Sequence, residues 1–177
     1  MTLGPRLRRF VLTAHVASSV GWLGAVAAFL ALAIAGLSSD SAPTVRGAYL
    51  AMEVTAWFVI VPLAFASLVT GVVQSLGTSW GLFRHYWVLA KLLLTLVATV
   101  VLLFQLENIG SMSDIAANSA LTDSAHRGSR ISLLVHAGGG LVVLLMTTIL
   151  AVHKPPGLTR YGWRKQQELR QTGEQPG

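Results

Sequence analysis

The side chains here whose types could do chemistry are few, and they fall into two pairs. His15 and Lys91 set an imidazole and an ammonium inside two long apolar runs, and Glu53 and His136 set a carboxylate and a second imidazole inside two others. An ionisable group in an apolar segment is costly unless it reaches the headgroups or meets a partner, so each marks a candidate site. A neutral imidazole at His15 can ligate a metal, haem iron included, and the Lys91 ammonium can pair with an anionic substrate or a propionate. Glu53 and His136 can hold a divalent ion or pass protons, with His126 and Glu107 as reinforcements.

Each group also has a plainer use. Lys91 has a stem long enough to snorkel to the headgroups, and His15 can hydrogen-bond a neighbouring helix. Glu53 can sit protonated or hydrogen-bonded near the interface, with His136 a packing residue. The triplet Gly138-Gly139-Gly140 fits a close helix contact, and three glycines beside a histidine would also admit a flat cofactor edge. His85 and His153 lie at helix ends, where interfacial histidine is ordinary.

The elements that must position these groups follow from composition. Of 177 residues, 53% are hydrophobic and only 11% charged, too apolar a balance for a water-soluble domain of this length. The absence of cysteine removes disulfides, zinc-thiolate sites, Fe–S clusters and thiolate nucleophiles together. The net charge of +6 lies beside apolar runs rather than on an aromatic-interleaved surface, so no nucleic-acid module is expected. Four runs long enough to cross a bilayer predict helices over about 10–37, 47–80, 86–107 and 130–153. The first is about twice the length of a usual signal h-region and is expected to be a retained helix, with processing near Gly36 as the alternative. Pro62 should kink the second, and the segment from Asn108 to Arg130 is expected as the one long hydrophilic connector. Ten of the thirteen Lys and Arg residues fall in the leader, in the second connector with Lys91, and in the tail from Lys154.

The fold class expected is therefore an all-α membrane protein, an antiparallel bundle of four transmembrane helices over residues 1–153, with N- and C-termini cytoplasmic by the positive-inside rule. Residues 154–177 form a basic cytoplasmic tail, resting on anionic lipid or remaining flexible. Trp80, Phe83, Tyr86 and Trp87 then form an inner aromatic belt. Since a helix rises about 1.5 Å per residue, His15 lies about 9 Å inward from Arg9 and Lys91 about 10 Å inward from Arg84, on one level. From the other face, Glu53 lies about 10 Å in from Arg46 and His136 about 9 Å in from Arg130. Helical spacing groups His15, Ser19, Trp22 and Val26 on one stripe, and Trp87, Lys91, Thr95 and Ala98 on a second. It also groups Glu53, Trp57, Ile60, Ala64, Ser67, Gly71 and Gln74 on a third, and His136, Gly140, Val143 and Thr147 on a fourth.

The stretches HVASSVGWLG, carrying His15 and Trp22, and WVLAKLLLTL, carrying Trp87 and Lys91, resemble helices one and three of two bacterial groups. These are the HemJ-type protoporphyrinogen oxidases and the CopD-like copper-resistance membrane proteins. Over most of residues 10–160, including VPLAFASLVTGVVQSLGTSWGLFRHYWVLAKLL and KPPGLTRYGW, the chain looks like an uncharacterised actinobacterial family of small integral membrane proteins. The HemJ resemblance implies a required histidine at His15, a required lysine at Lys91 and a b-type haem. The chain departs from those enzymes after Trp22: where they carry a polar, aromatic-rich stretch with Arg and Tyr, it has AVAAFLALAIAG. The likeness thus speaks for a shared scaffold and pocket more than for a shared reaction.

Three function classes follow. The first is a bacterial inner-membrane protein binding haem b or another small cofactor beside His15, Lys91, Trp22 and Trp87, as a membrane oxidoreductase. The second is a copper or proton transporter with metal ligands at His15, His136 and Glu53. The third is a non-catalytic accessory or assembly subunit. The partners admitted are the lipid bilayer, a tetrapyrrole or metal ion, and a homo-oligomer.

Overall fold

The computed structural model describes residues 4–77, 82–118, 126–153, 155 and 157–171. Four helical spans are long and apolar enough to cross a membrane: α1 (Pro5–Ser38); a second span made of α2 (Ala42–Thr55), a π-helical turn (Ala56–Ile60) and α3 (Val61–Leu76); α4 (Tyr86–Asn118); and α5 (Arg127–His153). A shorter helix, α6 (Arg160–Gln171), follows in the basic tail. The chain is that of a multi-pass membrane protein.

Three helices begin on a proline at their first or second position, which supplies a helix-ready φ where an N–H would be unsatisfied anyway: Pro5 in α1, Pro43 in α2 and Pro62 in α3. The first two of these prolines explain why α1 and α2 start about five residues earlier than the apolar runs predict. Inside the span, Pro62 meets a different constraint, because its ring clashes with the carbonyl four residues back and it offers no N–H. The π-turn just before it absorbs that conflict, with the Val61 N–H reaching the Ala56 carbonyl.

The bundle is held by rows of small and apolar residues spaced by threes and fours. In α1 the row is Val11, Ser18, Trp22, Val26, Phe29, Ala33 and Gly36, and in α5 it is Leu133, Ala137, Leu144 and Thr147. In α4 it is Thr99, Leu106, Ile109, Ser113 and Ala116. The second span breaks the rule once. Met52, Ala56, Ile60 and Ala64 are spaced by four throughout, yet none is more than 2% exposed. In a straight α-helix a step of four overshoots a full turn by about 40°, so three such steps would walk this row off the core. The wider π-turn takes up the excess and keeps one continuous buried face.

The row in α4 also explains why that helix runs through Asn118, eleven residues past the predicted end. Ile109, Met112, Ser113 and Ala116 are all buried, and α4 packs there on α2. The polar residues between them, such as Ser111 and Asp114, face out. At 33 residues α4 is about 50 Å long, well beyond the roughly 30 Å of hydrocarbon, so its last turns pack on protein rather than lipid.

Around the bundle, α1 packs on the second span and on α5, and α4 packs on the same two. The start of α1 meets the end of α3 through His15 and Ser67, and its end meets the start of α2 through Gly36 and Tyr49. The tail is tied back to the short connector before α4. Thr159 N–H donates to the Arg84 carbonyl at 3.0 Å, its hydroxyl donates to the Phe83 carbonyl, and Tyr86 N–H donates to the Gly157 carbonyl at 3.3 Å. Thr159 then starts α6, accepting from Gly162 N–H at 3.1 Å. Of the aromatic belt, Phe83 and Tyr86 are exposed and Trp87 is half-buried, while Trp80 lies outside the described residues.

Candidate functional site

A cavity of about 510 Å³ lies in the half of the bundle that contains His15, walled by α1, α3, α4 and α5. His15, Ser19 and Trp22 come from α1, Ser67, Gly71 and Gln74 from α3, Trp87, Lys91 and Thr95 from α4, and Thr147 and Thr148 from α5. The stripes expected on the first and third runs therefore do face inward, and all four cofactor-binding candidates, His15, Trp22, Lys91 and Trp87, line one space. The volume falls within the range that small-molecule and cofactor sites occupy.

The hydrogen bonds around His15 set its tautomer. Nδ1 lies 3.1 Å from the Ser67 carbonyl and 3.2 Å from the Thr70 hydroxyl. A carbonyl only accepts, and Thr70 already donates its proton to the Ala66 carbonyl at 2.6 Å, so Nδ1 carries the hydrogen and shares it between the two oxygens. Nε2 is then left with its lone pair and meets no hydrogen-bond donor among the described residues. This is the arrangement of a metal-ligating histidine, whose remote N–H is fixed by a backbone carbonyl. The ring is further seated against Gly71: a Cβ there would stand 3.0 Å from His15 Cε1, so a larger residue would press on the imidazole and shift it by a few tenths of an ångström. A hydrogen bond of 2.8 Å between Ser19 and Ser67 ties the same two helices one turn deeper.

Lys91 is half-buried on the opposite wall, and no carboxylate pairs with it among the described residues. Among the described residues, His15 is the one imidazole in the cavity lining, and no aspartate or glutamate lines it. Among the described residues no group of three or more His, Asp or Glu side chains stands close enough to hold a bare metal ion.

The outer pair behaves differently. Glu53 is half-buried and turned to α4, its Oε1 3.8 Å from where a Cβ on Gly110 would lie. His136 is exposed and bonds back along its own helix, Nδ1 to the Ser132 carbonyl at 2.7 Å. No hydrogen bond joins Glu53 to His136 among the described residues. The expected stripes hold only in part here, with Ile60, Ala64, Ser67 and Thr147 buried and the departures at Trp57 and His136. In the second span the π-turn shifts the register, so Trp57 faces outward at 49% exposure while Ile60, Ala64 and Ser67 stay buried. In α5 the buried row passes through Ala137, one residue and about 100° from His136.

What the sequence did not single out at this end is a lock made by Tyr49, Arg130 and Gly36. Tyr49 is 1% exposed and lies flat on Gly36, where a Cβ would come within 3.0 Å of the ring. Arg130 donates to the Tyr49 hydroxyl at 3.0 Å and to the Gly36 carbonyl, one of the four that α1 leaves unpaired at its end. Its positive charge also suits the negative end of the α1 dipole. Arg130 counts in the sequence only as a cation in a connector, whereas folding makes it a cap on a helix distant in the chain. Thr70 and Thr148 are further residues at the site that no motif announced.

Compared with known proteins, the chain matches no family model, no curated protein and no solved structure.

Proposed function

We propose that this protein is a multi-pass plasma-membrane protein of a bacterium, an antiparallel bundle with both termini cytoplasmic, that binds a haem in the cavity beside His15 and Lys91. The orientation is supported by the cation count, with ten of thirteen Lys and Arg residues on the His15 side. The cofactor is supported by one observation above all: a histidine fixed through Nδ1–H, with its Nε2 lone pair available, shares a cavity with an ammonium that meets no carboxylate among the described residues. Haem brings four nitrogen ligands of its own, so it would ask the protein for one imidazole and a cation for its propionates. His15 would give the first and Lys91 the second, with Trp22 and Trp87 on the walls. When bound, the haem supplies one-electron redox chemistry, which the protein tunes through the axial histidine and the dryness of the site. The resemblance of the His15 and Lys91 segments to the HemJ-type and CopD-like proteins supports the same assignment.

A copper or proton transporter draws less support. A bare copper ion would find a single strong ligand in this cavity, and Met52, Ala56, Ile60 and Ala64 fill the bundle axis between Glu53 and the inner space. The test is the visible spectrum of protein extracted in mild detergent from haem-replete cells. A Soret band is expected, lost in His15→Ala and weakened in Lys91→Gln by roughly ten- to a hundredfold in haem affinity. A colourless preparation that gains nothing from added haem would refute the proposal.

A further inference from the structure

The cavity has a rim as well as a floor. Leu12, Val16 and Val20 line it while being 45%, 51% and 62% exposed, and Val152 lines it at 72% exposed. A side chain that borders a cavity and also faces outward marks an opening. The first three recur every four residues, on one flank of α1, and Thr148 and Val152 repeat that spacing on α5. The other flank of α1 is closed against the second span, by His15 on Ser67 and by Gly21, where a Cβ would meet Leu63 at 3.3 Å. Farther from the His15 end, α1 and α5 close together as well, with Val26 Cγ1 3.9 Å from where a Gly140 Cβ would lie. The opening is thus a cleft between α1 and α5, confined to the inner half.

Depth decides what the cleft faces. Leu12 lies about 5 Å and Val20 about 17 Å along the helix from Arg9, which spans most of one leaflet's hydrocarbon. The rim carries one hydroxyl, Thr148, among aliphatic side chains, so water gains little there and an apolar body gains much. Beyond the rim stand the polar wall of His15, Ser19 and Ser67 and the ammonium of Lys91.

We propose that the cavity exchanges its ligand sideways with the bilayer through the cleft between α1 and α5, and that this ligand is a membrane-dissolved amphiphile with an apolar body and an anionic end. This rests on the reading of the cavity as a ligand site, and it adds a route and a ligand class. The anionic end passes to Lys91, the body lies along Trp22 and Leu23, and the ligand enters without crossing the aqueous phase. Haem, with its apolar ring and paired propionates, belongs to that class.

The experiment uses the full chain in liposomes and haem dissolved in donor vesicles, following growth of the Soret band with time. Val16→Trp and Val20→Trp, bulky substitutions at the rim, are expected to slow uptake and release alike, each roughly tenfold or more, whereas damage to the site itself would speed release. Val69→Trp, at a lipid-facing position of α3 away from the cavity, is expected to leave the rate unchanged. Equal rates in wild type and both rim variants would overturn the proposal. If wild type takes up no haem, the haem assignment fails by itself, and the cleft is then decided with a dibrominated fatty acid. Quenching of Trp22 emission, read as the difference between wild type and Trp22→Phe and suppressed by Val20→Trp, supports the route. No quenching of Trp22 overturns it.

Discussion

The two halves of this bundle use the same device, an aromatic ring laid on a glycine of a neighbouring helix, for opposite ends. In the half that holds Tyr49 its ring lies on Gly36, and the Tyr49 hydroxyl and the Gly36 carbonyl are both met from within the protein, by Arg130. In the half that holds His15 its ring lies on Gly71, and among the described residues only one of its two nitrogens is satisfied. A filled apolar axis lies between them, from Met52 to Ala64. Ionisable residues alone would have ranked the ends as equals. What separates them is whether the protein completes the hydrogen bonding itself or leaves a lone pair and a cation facing a cavity.

The comparison is broken most forcefully at Tyr49. Tyr49→Ala removes a fully buried ring and is expected to cost about 3–5 kcal/mol in denaturant unfolding, against about 1 kcal/mol for Tyr49→Phe, which loses only the bond from Arg130. Folded Tyr49→Phe should bind haem as wild type does, and a matching loss of haem would show that the halves are not independent. A finer cut comes from the paired glycines, where one added methyl lands 3.0 Å from a ring in either half. Gly36→Ala should lower stability by about 1–3 kcal/mol with the Soret band intact. Gly71→Ala should displace His15 and lower haem affinity about tenfold, with a smaller change in unfolding. The smallest effect belongs to His136, exposed and bonded only along its own helix. His136→Ala should change stability by less than about 0.5 kcal/mol and leave the spectrum unaltered. A larger change in either would make that histidine part of a site.

Several of these distinctions were legible beforehand and several were not. The spacing of His15, Ser19 and Trp22 with that of Trp87, Lys91 and Thr95 already placed two polar faces at one depth, because depth and helix face depend only on residue count. The same arithmetic misdirected the outer pair. It treated Glu53 and Ser67 as one stripe across Pro62, where the π-turn changes the number of residues per turn. It also anchored the face of α5 on a chemically interesting residue rather than on the row Leu133, Ala137, Leu144 and Thr147, which carries the spacing of a packed seam. The tail gave no sign that Gly157 and Thr159 would pair with the connector before α4, since such bonds lie between backbone groups that every residue has.

The sequence by itself determined that this protein has four runs long and apolar enough to cross a membrane and that an imidazole and an ammonium fall at matching positions in two of them, since both follow from the length and period of apolar runs. Only the tertiary structure decided which charged groups would be used up in holding helices together. Arg130 closes the end of α1 while Lys91 meets no carboxylate among the described residues, and both are single cations in connectors or spans until the helices meet. A side chain's partner depends on what lies across the interface, and that is fixed by packing, not by neighbours along the chain.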